Sequence, residues 1–205
     1  MMIRVLTIFF LFFGIILGCA IEKPQNLGEV EADRPASVQS IVMKKAYLVL
    51  NALSKQEMDK VSRYVHPQKG VLLSPFETVD KNRAQVLMPS QVKELFQIPN
   101  QKQLEWGTDD GKGDPIRLTP QAYFEKYVYD VEFSETELVM YDGIYKETNR
   151  IHNIDEVFPN SHYVEFFVPG SEEYEGMDWK SLKLVFSEHN NDHYLIGIVH
   201  DQWSP

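Results

Sequence analysis

Apolar positions recur at helical spacing in the first part of the chain's body. Val38, Ile41, Val42, Ala46, Val49, Leu50 and Leu53 fall on one face of a 3.6-residue repeat and predict an amphipathic helix. Met58, Val61 and Val65 continue as the buried stripe of a second, short helix. Ser54 to Glu57 has the spacing of a capping box at its start, and Pro67 ends it by pushing the preceding residue out of the helical region. Val71-Leu72-Leu73, stopped by Ser74-Pro75, predicts a strand, and Ala84–Met88 a second. Pro89 suits the first turn of a helix running to about Phe96. Gln103–Trp106 reads as extended before a loop at Gly107–Pro115. Thr119-Pro120 is a cap with proline at the first helical position, opening a helix that carries Ala122, Tyr123, Phe124 and Tyr127.

After Asp130 the period changes. Glu137–Tyr141 and His162–Val168 are rich in strand formers. Leu182–Phe186 and Tyr194–Val199 flank Asn190-Asn191-Asp192, residues that tolerate a turn, and together predict a hairpin. Leu182, Leu184 and Phe186 alternate on one face, as do Tyr194, Ile196 and Ile198, so one face of the sheet is expected to be covered. Helices first and antiparallel strands last imply an α+β fold, N-terminal helices packed on a curved, mainly antiparallel sheet.

The pattern before this body is different. Arg4 precedes an apolar run, Val5–Leu17, that stops at Gly18-Cys19, and Ala20–Ala36 is polar with two prolines. A cationic start, a short apolar core and a small residue make a secretory signal, and the run is shorter than the roughly 20 residues of a membrane span. The expected organisation is a signal peptide over 1–18, a flexible tether over 19–36 and a single α+β domain over 37–205. The tetrapeptide Ile16-Leu17-Gly18-Cys19 resembles the box of bacterial lipoproteins. That resemblance implies cleavage after Gly18 and a diacylglycerol thioether on Cys19. Several acyl chains on one residue anchor stably where one does not. Cys19 is the only cysteine, so no disulfide within the chain is possible, and lipidation accounts for its solitude and position.

The helix pair Val38–Val65, His66-Pro67 entering a strand, and a terminal hairpin ending Val199-His200-Asp201-Gln202-Trp203 resemble the NTF2-like, cystatin-related cone. His66 to Trp203 is also similar to a family of exported bacterial proteins, through His66-Pro67 with Lys69-Gly70-Val71, Trp106-Gly107 with Gly111 and Gly113, Tyr123-Phe124 to Asp130, and Met177-Asp178-Trp179. The likeness implies fold and compartment, and no activity.

Composition changes the picture in one respect. Lys and Arg total 20 against 30 Asp and Glu, a net charge of −10. Phosphate backbones repel such a chain, so no nucleic-acid partner is expected.

Common catalytic signatures are missing: there is no G-x-S-x-G, no P-loop, no H-E-x-x-H and no C-x-x-C. The candidates are scattered. His66 stands at an element end, and His200-Asp201 sets a carboxylate beside an imidazole that it would orient as a base. His189 and His193 flank the predicted turn. Asp109, Asp110 and Asp114 share a glycine-containing loop suited to a hard cation, although Lys112 sits among them and the spacing is not that of an EF-hand. The cone resemblance adds Asp130, Glu165 and Asp201 as possible bases and Tyr127 or Tyr163 as donors, since ketosteroid isomerases work with an acid and oxyanion donors in such a pocket. The expectation is a lipid-anchored domain on the extracytoplasmic face of the cell membrane, or of the outer membrane where a cell has two. It meets membrane lipid through Cys19, takes no cofactor and binds a small molecule or an envelope protein without catalysis. The alternatives are an envelope hydrolase or isomerase using a pocket His/acid pair, and a structural assembly protein.

Overall fold

The computed structural model describes residues 36–97 and 102–204. The leader, Cys19 and nearly all of the tether lie outside the described residues. Among those described, no helix is long and apolar enough to cross a membrane.

The chain opens with α1 (Val38–Ser54), whose first turn is capped by the Ser37 hydroxyl accepting from Ser40 N at 3.2 Å. Its stripe Val42, Ala46, Val49, Leu50 and Leu53 is buried, as the periodicity requires. The capping box expected next does not form. Ser54 is the last residue of α1, its hydroxyl donates back to Asn51 O at 3.0 Å, and Glu57 caps α2 (Met58–Ser62) without a side-chain bond. Gln56, at φ +52°, turns the chain between the two helices.

Then come β1 (Val71–Ser74), β2 (Gln85–Leu87), α3 (Pro89–Lys93), β3 (Leu104–Thr108), β4 (Pro115–Leu118), α4 (Pro120–Tyr127), β5 (Val139–Tyr141), α5 (Ile154–Val157), β6 (Ser161–Val168), β7 (Lys180–His189) and β8 (Asp192–Gln202). The main sheet has the order β2-β1-β8-β7-β6-β5, with only the β1/β8 pair parallel, while β3 and β4 form a separate hairpin. The α+β expectation holds: helices pack on a mixed, mainly antiparallel, curved sheet.

The last hairpin turns through Asn190 and Asn191, both in the left-handed region at φ +53° and +61°. That is the mirror-image turn matching strand twist. A bulge then departs from simple alternation. Phe186 pairs with Leu195 and Val185 with Gly197, so Ile196 is the extra residue. Beyond the bulge, Ile198 and His200 lie opposite Leu184 and Leu182 on the α1 side, while Val199 and Asp201 lie opposite Lys183 and Ser181 on the other. Ile196 therefore does not share a face with Ile198.

The expectation of one covered face is corrected here, because both faces are covered. On one side α1, α2, α4 and the β3/β4 hairpin pack against Val164, Phe166, Leu182, Leu184, Phe186 and Ile198. On the other, α5 and its flanking chain lay Ile154, Val157 and Phe158 over Leu72, Tyr163, Val185, Ile196 and Val199. Gly197 admits this second layer closely: a Cβ there would stand 2.9 Å from Phe158 Cζ.

Candidate functional site

On the α1 side the interior is filled. Trp106 stacks on Tyr123 with centroids 4.1 Å apart, and Phe133, Phe166 and Phe186 are fully buried around them. His200 lies in this wall with no exposed surface. Adjacent strand residues face opposite ways, so the expected His200-Asp201 pair does not meet. His200 Nε2 instead contacts Asp130 Oδ1 at 3.1 Å, and Nδ1 faces the Pro75 carbonyl at 3.3 Å. Burial opposes the charge on Asp130, but His200 and Lys180, whose Nζ is 2.9 Å away, hold its carboxyl below the usual range. Both ring nitrogens of His200 thus face acceptors, and neither addresses a recess.

His66 is also structural. Its Nδ1 accepts from Gln68 N at 3.1 Å and Lys69 N at 3.0 Å. Burial first, then Lys69 and His189, lower its pKa. His189 and His193 part across the turn. His189 lies against His66, with centroids 4.8 Å apart, and His193 against His162 at 6.1 Å. In the acidic loop, Asp109 Oδ1 accepts from Gly111 N and Lys112 N, Asp110 pairs with Arg150 at 2.8 Å, and Asp114 contributes its carbonyl to Asp109 N. Among the described residues, no three His, Cys, Asp or Glu side chains gather as a metal cluster.

The largest concentration of buried charge is on the other face of the sheet, where alternation sets Glu165, Ser181, Lys183 and Asp201 side by side. Lys183, 2% exposed, lies 3.0 Å from Glu165 Oε1 and 3.2 Å from Glu77 Oε1. Ser181 donates to Glu165 at 2.6 Å. Over this group runs Gly143–Asn153, which carries no helix or strand. It is fastened by Tyr145 N to Glu165 at 2.5 Å, Arg150 Nη1 to Asp201 at 2.5 Å and to Gln202 O at 2.7 Å, and His152 Nδ1 to Glu77 at 2.7 Å. Thr78 bonds the Ile151 carbonyl, and Asn153 bonds both backbone groups of Val79. Burial disfavours charge on Glu77, but His152 and Lys183 outweigh it and hold the carboxyl down to about 2. Asp201 goes the other way. Burial, reinforced by the Glu77 charge, pushes it up to about 6 against the pull of Arg150 and Lys183.

Beside this segment a cleft of about 270 Å³ is lined by Lys146, Thr148, Arg150, Trp179, Gln202 and Trp203. The Lys180/Gln202 pairing brings the two tryptophans to the same end of the sheet. Tyr145, Phe167 and Trp179 stack in sequence, and Lys146 lies 5.5 Å from the Trp179 ring centre. Of the exposed large apolar side chains among the described residues, Trp203 lines this cleft and Tyr145 belongs to the adjoining stack. Arg150 in the cleft meets counter-charges in both Asp110 and Asp201. The rest of the lining offers a ligand aromatic surface, the charged ends of Lys146 and Glu147, and amide and hydroxyl groups.

Sequence reasoning named Glu165 and Asp201 singly but missed Glu77, Lys183, Arg150 and His152. The one available signal was Lys183 and Ser181 alternating with Leu182 and Leu184 in the apolar strand β7, and that pattern ordinarily marks a solvated face.

No protein-family model matches the chain, and no curated protein matches it in sequence. Among solved structures, it is similar to a chain from Xanthomonas campestris described as a calcium/calmodulin dependent protein kinase II association domain. Identity is 12% and the TM-score 0.31, over 82% of this chain and 89% of that one. It is also similar to a variant of a protein called Rd1NTF2_05, at 9% identity and a TM-score of 0.30, over 77% of this chain and 94% of that one. Likenesses of this extent identify neither a family nor an activity; the architecture rests on the strand order and pairing given above.

Proposed function

We propose that this chain is a lipid-anchored extracytoplasmic domain that binds a partner without catalysing a reaction, and that it binds through the aromatic end of the sheet around Trp203. The observation that carries the binding reading is the contrast between the two sides. His200 is fully buried in a filled wall with its ring nitrogens on Asp130 and the Pro75 carbonyl, whereas the exposed Trp203 lines the cleft beside Trp179. Exposed apolar surface concentrated in one place marks an interaction site more often than scattered residues do. The leader and Cys19 support the anchor. A tether of roughly 17 residues gives a reach of about 20–25 Å by random-coil scaling, so the domain works close to the bilayer.

The 3.1 Å contact of His200 with Asp130 favours a second reading, an envelope hydrolase or isomerase. One measurement separates the two. A catalytic imidazole must be reachable, so diethyl pyrocarbonate should modify His200 in the native protein if the second reading is right and spare it if the first is. The anchor is tested by Cys19→Ala or globomycin treatment. Either should release the protein from the membrane or leave the leader attached. Unchanged membrane association and mass contradict lipidation.

A further inference from the structure

We propose that the cleft at the Trp179/Trp203 end of the sheet takes a neutral saccharide, a sugar ring laid against Trp203 with its oxygens turned toward Trp179 and the amides of the lining. This ligand class rests on the binding reading above and gives it a chemistry.

Trp179 and Trp203 stand immediately outside the last pair of the β7/β8 ladder, Lys180 with Gln202, so the ladder fixes where both begin. Trp179 is held in place: it is 3% exposed, Phe167 stacks against it at 5.9 Å, and Lys146 lies over its ring. Trp203 is 41% exposed and borders the same cleft. The recess of about 270 Å³ is smaller than a drug-sized pocket and suits one ring of a chain.

The donor on Trp179 is a second, independent observation. Its Nε1 is buried and has no hydrogen-bond partner among the described residues, whereas the buried indole of Trp106 donates to the Leu118 carbonyl at 2.9 Å. A buried donor without an acceptor is uncommon and costly. A ligand oxygen in the cleft supplies that acceptor. A hydrocarbon has no such atom, so the occupant carries oxygens as well as a face for Trp203.

Charge decides which oxygens. Arg150 is already held by Asp110 and Asp201, Lys180 by Asp130, and Lys146 is followed in the lining by Glu147. Three cations meet four acidic side chains, so a carboxylate or phosphate finds no excess positive charge. The groups left are those a polyol uses. Each sugar hydroxyl both donates and accepts. Asn149 borders the cleft, and Lys180 donates to Oε1 of the Gln202 amide, so the NH₂ end of that amide serves the ligand. The C–H face of a pyranose is slightly positive and suits the negative face of an indole. A proline-rich peptide also docks on aromatics, but in a groove lined by them. Among the described residues, Trp203 is the one exposed large apolar side chain in this lining.

Proton–nitrogen spectra of the full chain in zwitterionic micelles, titrated with cellotetraose and with chitotetraose, test this. The chain has three tryptophans, so the indole region holds three signals. At least one tetramer should bind with a Kd on the order of 1 mM or tighter. It should shift the Trp203 signal, move the Trp179 signal downfield and leave Trp106 in place. Trp203→Ala should weaken that binding about tenfold, as loss of an aromatic anchor does, with an unchanged Trp106 signal showing that the variant is folded. Raising salt from about 0.05 to 0.5 M should leave the affinity within about twofold. Absence of binding by either tetramer at about 10 mM, unchanged affinity in Trp203→Ala, or tighter binding of tetragalacturonate or a decaproline peptide overturns the proposal. Those failures leave the choice between binding and catalysis to the reactivity of His200, and a reactive His200 leaves the saccharide titration standing.

Discussion

Lys183→Met removes a buried ammonium while keeping the length of its stem. In the wild type that ammonium lies 3.0 Å from Glu165 and 3.2 Å from Glu77, with the lysine only 2% exposed. The variant leaves two buried carboxylates with Ser181, His152, Thr148 and Tyr145 N as their remaining partners. Removing one partner of a buried ion pair costs about 3–5 kcal/mol, most of it the penalty of the charge left behind. For a domain of this size that corresponds to a fall in Tm of roughly 6–20 °C. Urea unfolding followed by circular dichroism should show the loss as a lower midpoint at unchanged slope. Glu77, held down to about 2 with the help of Lys183, should titrate higher in the variant. Adding Glu165→Gln to Lys183→Met should recover part of the loss, because it removes one stranded charge; the two effects are then strongly non-additive. A single variant within about 1 kcal/mol of wild type, or a double variant showing simple additivity, would refute the electrostatic account of this face.

Other consequences follow from particular contacts. Asp201 is raised in the folded state from 3.8 to about 6, so its contribution to stability is complete below pH 3.8 and is lost as pH rises through 6. The loss amounts to about 3 kcal/mol at full displacement and should appear as the difference between wild-type and Asp201→Asn stability profiles from pH 4 to 7. Glu77 has the opposite sign. Lowered from 4.5 to about 2, it stabilises above pH 4.5, and that contribution disappears as pH falls through 2, so Glu77→Gln should flatten the acid limb. Gly197→Ala brings a methyl to 2.9 Å from Phe158 Cζ and 3.2 Å from Val185 Cβ, and should cost about 1–3 kcal/mol by overpacking in thermal unfolding. Asn191 is in the left-handed region at φ +61°. Asn191→Gly should raise stability by about half a kcal/mol, since glycine adopts that conformation without steric cost.

The fold was legible where a period ran long enough to be unambiguous. The α1 stripe from Val42 to Leu53 and the apolar alternation of β7 come from the sequence unaided, and both elements are where the spacing puts them. Short elements escaped. The loop expected over Gly107–Pro115 ends inside β4, and Pro115–Leu118 pairs with β3, an element missed because four residues containing a proline and an arginine carry no periodic signal. The bulge at Ile196 was invisible for a related reason: Tyr194, Ile196 and Ile198 alternate perfectly in sequence, and only the pairing with Val185 and Phe186 reveals the extra residue.

Less of the site could be read. His200-Asp201 looks like an oriented base on paper, but consecutive residues of a strand are the pair least able to meet. The true partner, Asp130, is 70 positions away. Lys183 and Ser181 look like the wet side of a hairpin, and they are buried because α5 and the segment Gly143–Asn153 cover that face. Which face a patternless segment will cover is decided by tertiary contacts such as Arg150 with Asp201 and His152 with Glu77, and none of these has a local signature.

The most direct measurement on the whole account is the intact mass and N-terminal fragmentation of the mature polypeptide extracted from cell membranes. The account predicts a chain beginning at Cys19, heavier than its sequence by a diacylglycerol thioether. A chain retaining Met1 with an unmodified Cys19, recovered from the soluble interior of the cell, would contradict it.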